Sequence, residues 1–152
     1  AEILLFLASR ADFVAKIVQP NLHRGVSVIT DRFLDSTAAY QGGGLFKGDA
    51  SVLSLIDRIH ALILDPCGKP SLTFLLDISY ETMLLRAKES DTKLDFIERR
   101  GKDYFERVQA EYRAIAVREP QRVVLIDGRK SPDDIFDNDI TPPIQRLYDF
   151  LL

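Results

Sequence analysis

The sequence holds a single cysteine, Cys67, so no disulfide can close within the chain. A reducing, cytoplasmic setting is the expectation that follows. No apolar run approaches the roughly 20 residues that span a bilayer. The apolar opening AEILLFLASRADFVAKIV is broken by Arg10 and Asp12 and reads as a helix rather than a leader. Strong charge of either sign is missing too. The balance of 20 basic and 23 acidic residues gives −3, which argues against a general polyanion or nucleic-acid binder. There is no internal repeat and no low-complexity tract. Cys67 has no adjacent His, and His23 and His60 lack the spacing and cysteine partners of a zinc site. No residue stands out as a direct protein ligand to a metal. The phosphate-cradling pattern G-x-x-x-x-G-K-[ST] is also absent.

What is present suits a globular α/β domain. Hydrophobic residues make up 46% and charged residues 28% of 152 residues, enough for one domain with a sizeable core. Residues 1–18 predict a helix that is apolar on more than one side, and its second side could meet another subunit. VSVIT at 26–30, LTFLLD at 72–77 and VVLID at 123–127 predict buried parallel strands. Residues 33–41 predict a helix stopped by Gly42, Gly43 and Gly44. Residues 49–64 predict an amphipathic helix with Val52, Leu55, Ile56, Ile59, Leu62 and Ile63 as its stripe. Residues 102–118 predict another, and a last short helix is expected near 147–152. Strands alternating with helices indicate a layered fold with a parallel sheet. Three strands are few for so many helices, which suggests that sheet is missing from the chain.

Three groups of residues carry chemistry. Asp31-Arg32 follow the first predicted strand, where α/β folds bind ligands. A carboxylate there can bind Mg²⁺ or a hydroxyl, and a guanidinium can fork onto two phosphate oxygens. Two residues alone read more readily as a helix cap beside a surface ion pair. Phe33, Thr37, Tyr40 and Gln41 then share a helical face by their spacing. Phe6 and Arg10, four residues apart, could stack on a base and donate to its edge. A donor-only Arg prefers the O4 acceptor of thymine to the amino group of cytosine.

Taken together, LLFLASR, VITDRFLDSTAAYQGGG, LTFLLD, LDFIE and VVLIDGRKS, in this order, resemble thymidylate kinase. The resemblance implies a nucleoside monophosphate kinase fold of P-loop NTPase type over residues 1–152, with the first strand and phosphate loop not in this chain. It implies transfer from ATP, with Mg²⁺, to dTMP. Phe6 would stack on thymine, Arg10 read it, and Arg32 clamp the phosphate. Thr37 and Gln41 would contact the base, Tyr40 would pack under the sugar, and Asp31 would be the acid near phosphates and metal. A lid at about 86–98 would bring Arg86, Lys88 and Lys93, with Asp95 and Glu98 as its acids. Phe96 stands where the family has a lid arginine, leaving Lys93 as a substitute point charge. Gly128, Arg129 and Lys130 would form the adenine loop. The partners implied are dTMP, ATP and a second copy of the chain through the helix at 1–18. An N-terminally truncated kinase that neither folds stably nor turns over alone is the expectation. A different nucleoside monophosphate kinase and a nucleotide-binding module without catalysis are the competing readings.

Overall fold

The first strand predicted from the sequence does not form. In the computed structural model, which describes residues 1–65, 67–89 and 100–151, residues 26–30 take no strand pairing. Ile29 is 96% exposed. β-branched residues favour a pleated surface only when a neighbouring strand supplies hydrogen bonds and packing. Among the described residues none lies alongside this segment. Asp31 and Arg32 therefore follow an exposed, extended stretch rather than a buried strand.

The other two strands do form. β1 (Thr73–Asp77) and β2 (Val123–Asp127) pair in parallel, from Thr73 opposite Val123 to Asp77 opposite Asp127. A parallel pair needs a long crossover, and here the chain between the strands passes through helices. The architecture is thus α/β, a parallel sheet flanked by helices.

The chain divides into two compact units. One comprises residues 1–69 with 103–114, and the other residues 70–102 with 115–152.

The first unit is helical among the described residues. α1 (Glu2–Phe13) continues through a π-helical stretch (Val14–Val18) into α2 (Gln19–Leu22), past the expected end at Val18. Pro20 does not stop it, because a proline is tolerated in the first turn of a helical segment and its missing N–H is absorbed by the looser π turn before it. Asn21 Nδ2 then donates to the Ile17 carbonyl at 2.7 Å. Val14, Leu34 and Leu64 form a core cluster with Val18, Phe33, Ile63 and Cys67 around it. Desolvation there pushes the Cys67 thiol pKa up, which suits an inert packing residue.

α3 (Leu34–Thr37) runs into a second π-helical stretch (Ala38–Leu45) that includes all three glycines expected to stop it. The glycines are there for close approach. A Cβ on Gly43 would sit 2.6 Å from Glu111 Cβ and 3.1 Å from the Arg107 carbonyl. One on Gly44 would sit 2.6 Å from the Tyr104 ring. Tyr104, Arg107 and Glu111 lie on α6 (Lys102–Arg118), which has the predicted boundaries.

α4 (Ala50–Leu64) starts where Asp49 accepts from the backbone N–H groups of Ser51 and Val52, at 2.9 and 3.1 Å. Its buried face is rotated from the expected stripe. Ile56, His60 and Leu64 are buried, whereas Leu62 is 78% exposed. His60 occupies a core position that a hydrophobicity pattern assigns to solvent.

In the second unit, Ser79 Oγ accepts from Thr82 N and caps α5 (Tyr80–Glu89). Ser131 does the same for α7 (Pro132–Asp134) through Asp134 N at 3.2 Å, and Asp133 and Asp134 complement that N-terminus. A π-helical stretch (Ile135–Ile140) leads into α8 (Thr141–Leu151), whose prolines sit in its first turn. The last helix is therefore longer than predicted. Arg122, nearly buried, is held by Glu119 at 2.8 Å and Thr73 Oγ1 at 2.9 Å.

Candidate functional site

The predicted pocket residues gather in the first unit, around the start of α3. Arg32 adopts φ +60°, the left-handed region that costs a residue with a Cβ about 1 kcal/mol or more. Two contacts hold it there. Arg10 Nη1 donates to the Arg32 carbonyl at 2.9 Å. The Arg32 guanidinium carbon lies 4.9 Å from the centre of the Tyr40 ring. Burial works to lower the Arg32 pKa, but Tyr40, Tyr112 and Asp31 outweigh it and the net shift is upward. Arg32 as a whole is exposed.

Arg10 stands on α1 beside an aromatic pair. Its guanidinium carbon is 5.8 Å from the Phe33 ring, which meets Phe13 edge-on at 6.1 Å. Desolvation, the largest influence, lowers the Arg10 pKa. Phe6 lies one turn earlier on the same helix and is partly exposed.

Thr37, Tyr40 and Gln41 are brought together by α3 and the π turn after it. Thr37 is 1% exposed and its hydroxyl has no hydrogen-bond partner among the described residues. Arg10 Nε and His60 Nε2 share that condition. Buried polar atoms are satisfied in the great majority of native structures. These three, on α1, α3 and α4, depart from that rule. Gln41 is 2% exposed, and its Nε2 donates to Glu2 Oε1 at 3.0 Å.

Several supporting residues escaped the sequence reading. Ser36 and Tyr112 share a hydrogen bond of 2.8 Å between their hydroxyls. Tyr112 meets the Tyr40 ring edge-on, with centroids 6.0 Å apart and planes at 85°. Tyr104 donates from its hydroxyl to the Tyr40 carbonyl at 2.9 Å, and Arg107 Nε donates to the Gly44 carbonyl at 3.2 Å. These partners are 63 to 76 residues apart in sequence. No local spacing could have announced them. Burial pushes the Tyr112 pKa up to about 12, so its hydroxyl stays protonated.

His60 gives the unit a pH response. Desolvation, the largest influence, lowers its pKa against the attraction of Asp57 and Asp35, while Arg10 and Lys69 push the same way as burial. A histidine whose folded pKa lies below its unfolded value binds fewer protons when folded. Its neutral form is stabilising above the unfolded pKa of about 6.5, and that contribution is lost as pH falls below it. The melting temperature should therefore drop as pH is lowered from about 7.5 to 5.5. His60→Gln, read by thermal melts across that range, should flatten the slope, and an unchanged slope would refute the assignment.

The remaining predicted residues lie in the second unit or outside the described residues. Arg86 and Lys88 are exposed in the last turn of α5. Lys93, Asp95 and Glu98 fall outside the described residues. Gly128, Arg129 and Lys130 form the turn after β2. Arg129 grips Asp127 with Nε at 2.8 Å and Nη2 at 2.7 Å, while its backbone N–H adds a third bond at 3.0 Å. These bonds hold the Asp127 carboxyl well below the usual range. Lys130 Nζ reaches both oxygens of Asp139, at 3.0 and 2.7 Å. Gly128 is required by contact, since a Cβ there would lie 2.7 Å from Ile78 Cγ2.

Among the described residues no group of three His, Cys, Asp or Glu could hold a metal ion, and no helix is long and apolar enough to cross a membrane. Asp31, next to Arg32 in the chain, is exposed. A single exposed carboxylate fits Mg²⁺, which usually takes one or two carboxylates and completes its shell with phosphate oxygens and water.

Residues 1–139 match the family model described as thymidylate kinase. A thymidylate kinase of Chlorobaculum parvum is 43% identical over 147 residues, covering 89% of this chain and 64% of that protein. One from Prosthecochloris aestuarii is 42% identical over 143 residues, covering 88% and 61%. The chain thus spans less than two thirds of the length of these relatives. Among solved structures, thymidylate kinase from Ehrlichia chaffeensis is similar with a TM-score of 0.63 and 30% identity, over 99% of this chain and 65% of that one. A match over residues 1–139 takes in the whole Arg10–Arg32–Tyr40 cluster together with both strands, and on that ground the chain belongs to the thymidylate kinase family.

Proposed function

We propose that this chain carries the acceptor site of an enzyme that transfers a phosphoryl group from ATP to dTMP, giving ADP and dTDP. The observation that carries the reading is the pairing of two arginines. Arg10 holds the Arg32 backbone in its left-handed turn while the Arg32 guanidinium rests on Tyr40. Arg32 then forks onto the dTMP phosphate. Phe6 stacks on thymine, and Arg10 donates to O4. Gln41 donates one amide N–H to Glu2, which orients its Oε1 as the acceptor for thymine N3–H. Cytosine has an acceptor at N3 and an amino group at position 4, so both contacts reject it. The unmet Thr37 hydroxyl is the third base contact, and Tyr40 packs under the sugar where a 2′-hydroxyl would collide.

Mg²⁺ arriving with ATP would neutralise charge on the transferring group, and Asp31 is the carboxylate that suits it. Arg86, Lys88 and Lys93, with Asp95 and Glu98, are the lid residues of this reading. Gly128, Arg129 and Lys130 receive adenine. Leu4, Leu5 and Ile17, exposed on the first helix, suit a homodimer contact, and the setting is cytoplasmic.

Calorimetric titration of the protein with dTMP, dCMP and dGMP tests the reading. dTMP should bind about tenfold or more tighter than the other two, the margin of one good hydrogen-bonded readout. Equal affinity for all three would defeat it.

A further inference from the structure

Tyr40 contacts both Arg32 and Tyr112, and Tyr112 is itself pinned. Its ring meets Tyr40 edge-on at 6.0 Å, and its hydroxyl bonds Ser36 Oγ at 2.8 Å. The Tyr40 side chain bonds Arg32, the group it would aim, through a hydrogen bond and its ring face, so neither contact fixes its tilt independently of Arg32. Its backbone is tied by Tyr104 through the carbonyl, and that bond leaves the ring free to rotate about its side-chain torsions. The T-shaped contact with the anchored Tyr112 ring restricts that rotation.

We infer that Tyr112, anchored by Ser36, is a positioning residue that sets the plane of Tyr40 and so aims the Arg32 guanidinium at the acceptor phosphate. Three contacts in series carry the claim: hydroxyl to hydroxyl, ring to ring at 85°, ring face to guanidinium. Each is short-ranged and directional. An edge-to-face pair prefers a defined angle, and a cation over a ring loses attraction as the ring tilts away. Tyr112 also keeps its proton, because burial holds its pKa at about 12, so the anchor persists across the range in which nucleotides bind. The geometry makes α6 a participant in phosphate recognition although none of the residues predicted to touch the nucleotide lies on it. This inference rests on the reading of Arg32 as the phosphate clamp.

Tyr112→Phe keeps the ring and deletes the anchor, and Ser36→Ala deletes the same bond from the other side. Two readouts separate positioning from general support. The first is the Arg32 Nε–H proton resonance in the free protein, which the current of the Tyr40 ring displaces. Both variants should move it toward the position of an exposed arginine. The second is the affinity ratio of dTMP to thymidine, which lacks the phosphate. Loss of one net hydrogen bond should weaken dTMP by about threefold to tenfold, with thymidine unchanged. The double variant should lose no more than either single one. An unmoved Arg32 resonance in both variants would overturn the inference. So would equal weakening of dTMP and thymidine, the mark of a purely structural role. A moved resonance with dTMP affinity intact would instead overturn the clamp assignment of Arg32, and the functional half of the inference with it.

Discussion

Arg32→Ala should weaken dTMP binding by roughly 100-fold while leaving thymidine within about twofold. The magnitude is that of a charge-assisted, two-pronged bond, about 2–3 kcal/mol. Nothing else described beside it offers the same fork. Arg10 spends Nη1 on the Arg32 carbonyl and is partly sunk among Phe13 and Phe33. Arg32→Lys keeps the charge and loses the fork, so a smaller deficit of about tenfold is expected. The backbone adds a second, independent result. At φ +60° alanine is as strained as arginine, whereas glycine is not. Arg32→Gly should therefore melt above Arg32→Ala and bind dTMP equally badly. Calorimetry with both ligands and thermal melts of the three variants decide the matter. Wild-type affinity for dTMP in Arg32→Ala would remove the foundation of the proposed function.

How much of this was legible in the residues depends on the range of the interaction concerned. α6 and β2 appeared with the predicted limits, because an amphipathic period and a β-branched run are local signals. VSVIT at 26–30 carried an equally good strand signal and formed none, since pairing depends on a neighbour that the segment itself cannot specify. Arg10, Arg32, Thr37 and Tyr40 were readable as a group because they lie within about two short helical segments. Their supports were not. Ser36 and Tyr112 are joined across 76 residues, and His60 reached the core by a rotation of α4 that its own pattern did not foretell. The composition of the site was therefore local information, and its rigidity was not.

The glycine run makes the same point with a larger effect on stability. Read locally, Gly42, Gly43 and Gly44 end a helix; in the fold they lie inside one and let it touch α6 and α4. Gly43→Ala should then be among the most damaging single-carbon additions in this unit. The new Cβ would meet Glu111 Cβ at 2.6 Å and the Arg107 carbonyl at 3.1 Å. Both belong to the rigid part of α6, so relief requires the helices to separate. Overpacking of that kind costs about 1–3 kcal/mol. A further penalty follows as the Tyr104 bond to the Tyr40 carbonyl lengthens. The unfolded-state entropy that alanine removes offsets about 0.5–1 kcal/mol and leaves the variant destabilised. A fall in melting temperature of about 3–10 °C is expected. Gly42→Ala is the matched control. Its Cβ meets chiefly the end of the Leu53 side chain, which can turn away, so its loss should be smaller. Gly43→Ala should also weaken dTMP, because the stretch that moves carries Tyr40 and Gln41. A Gly43→Ala variant that melts at or above the wild-type temperature would show that the glycines serve the turn after all, and that the close approach of α6 is not what holds the pocket in shape.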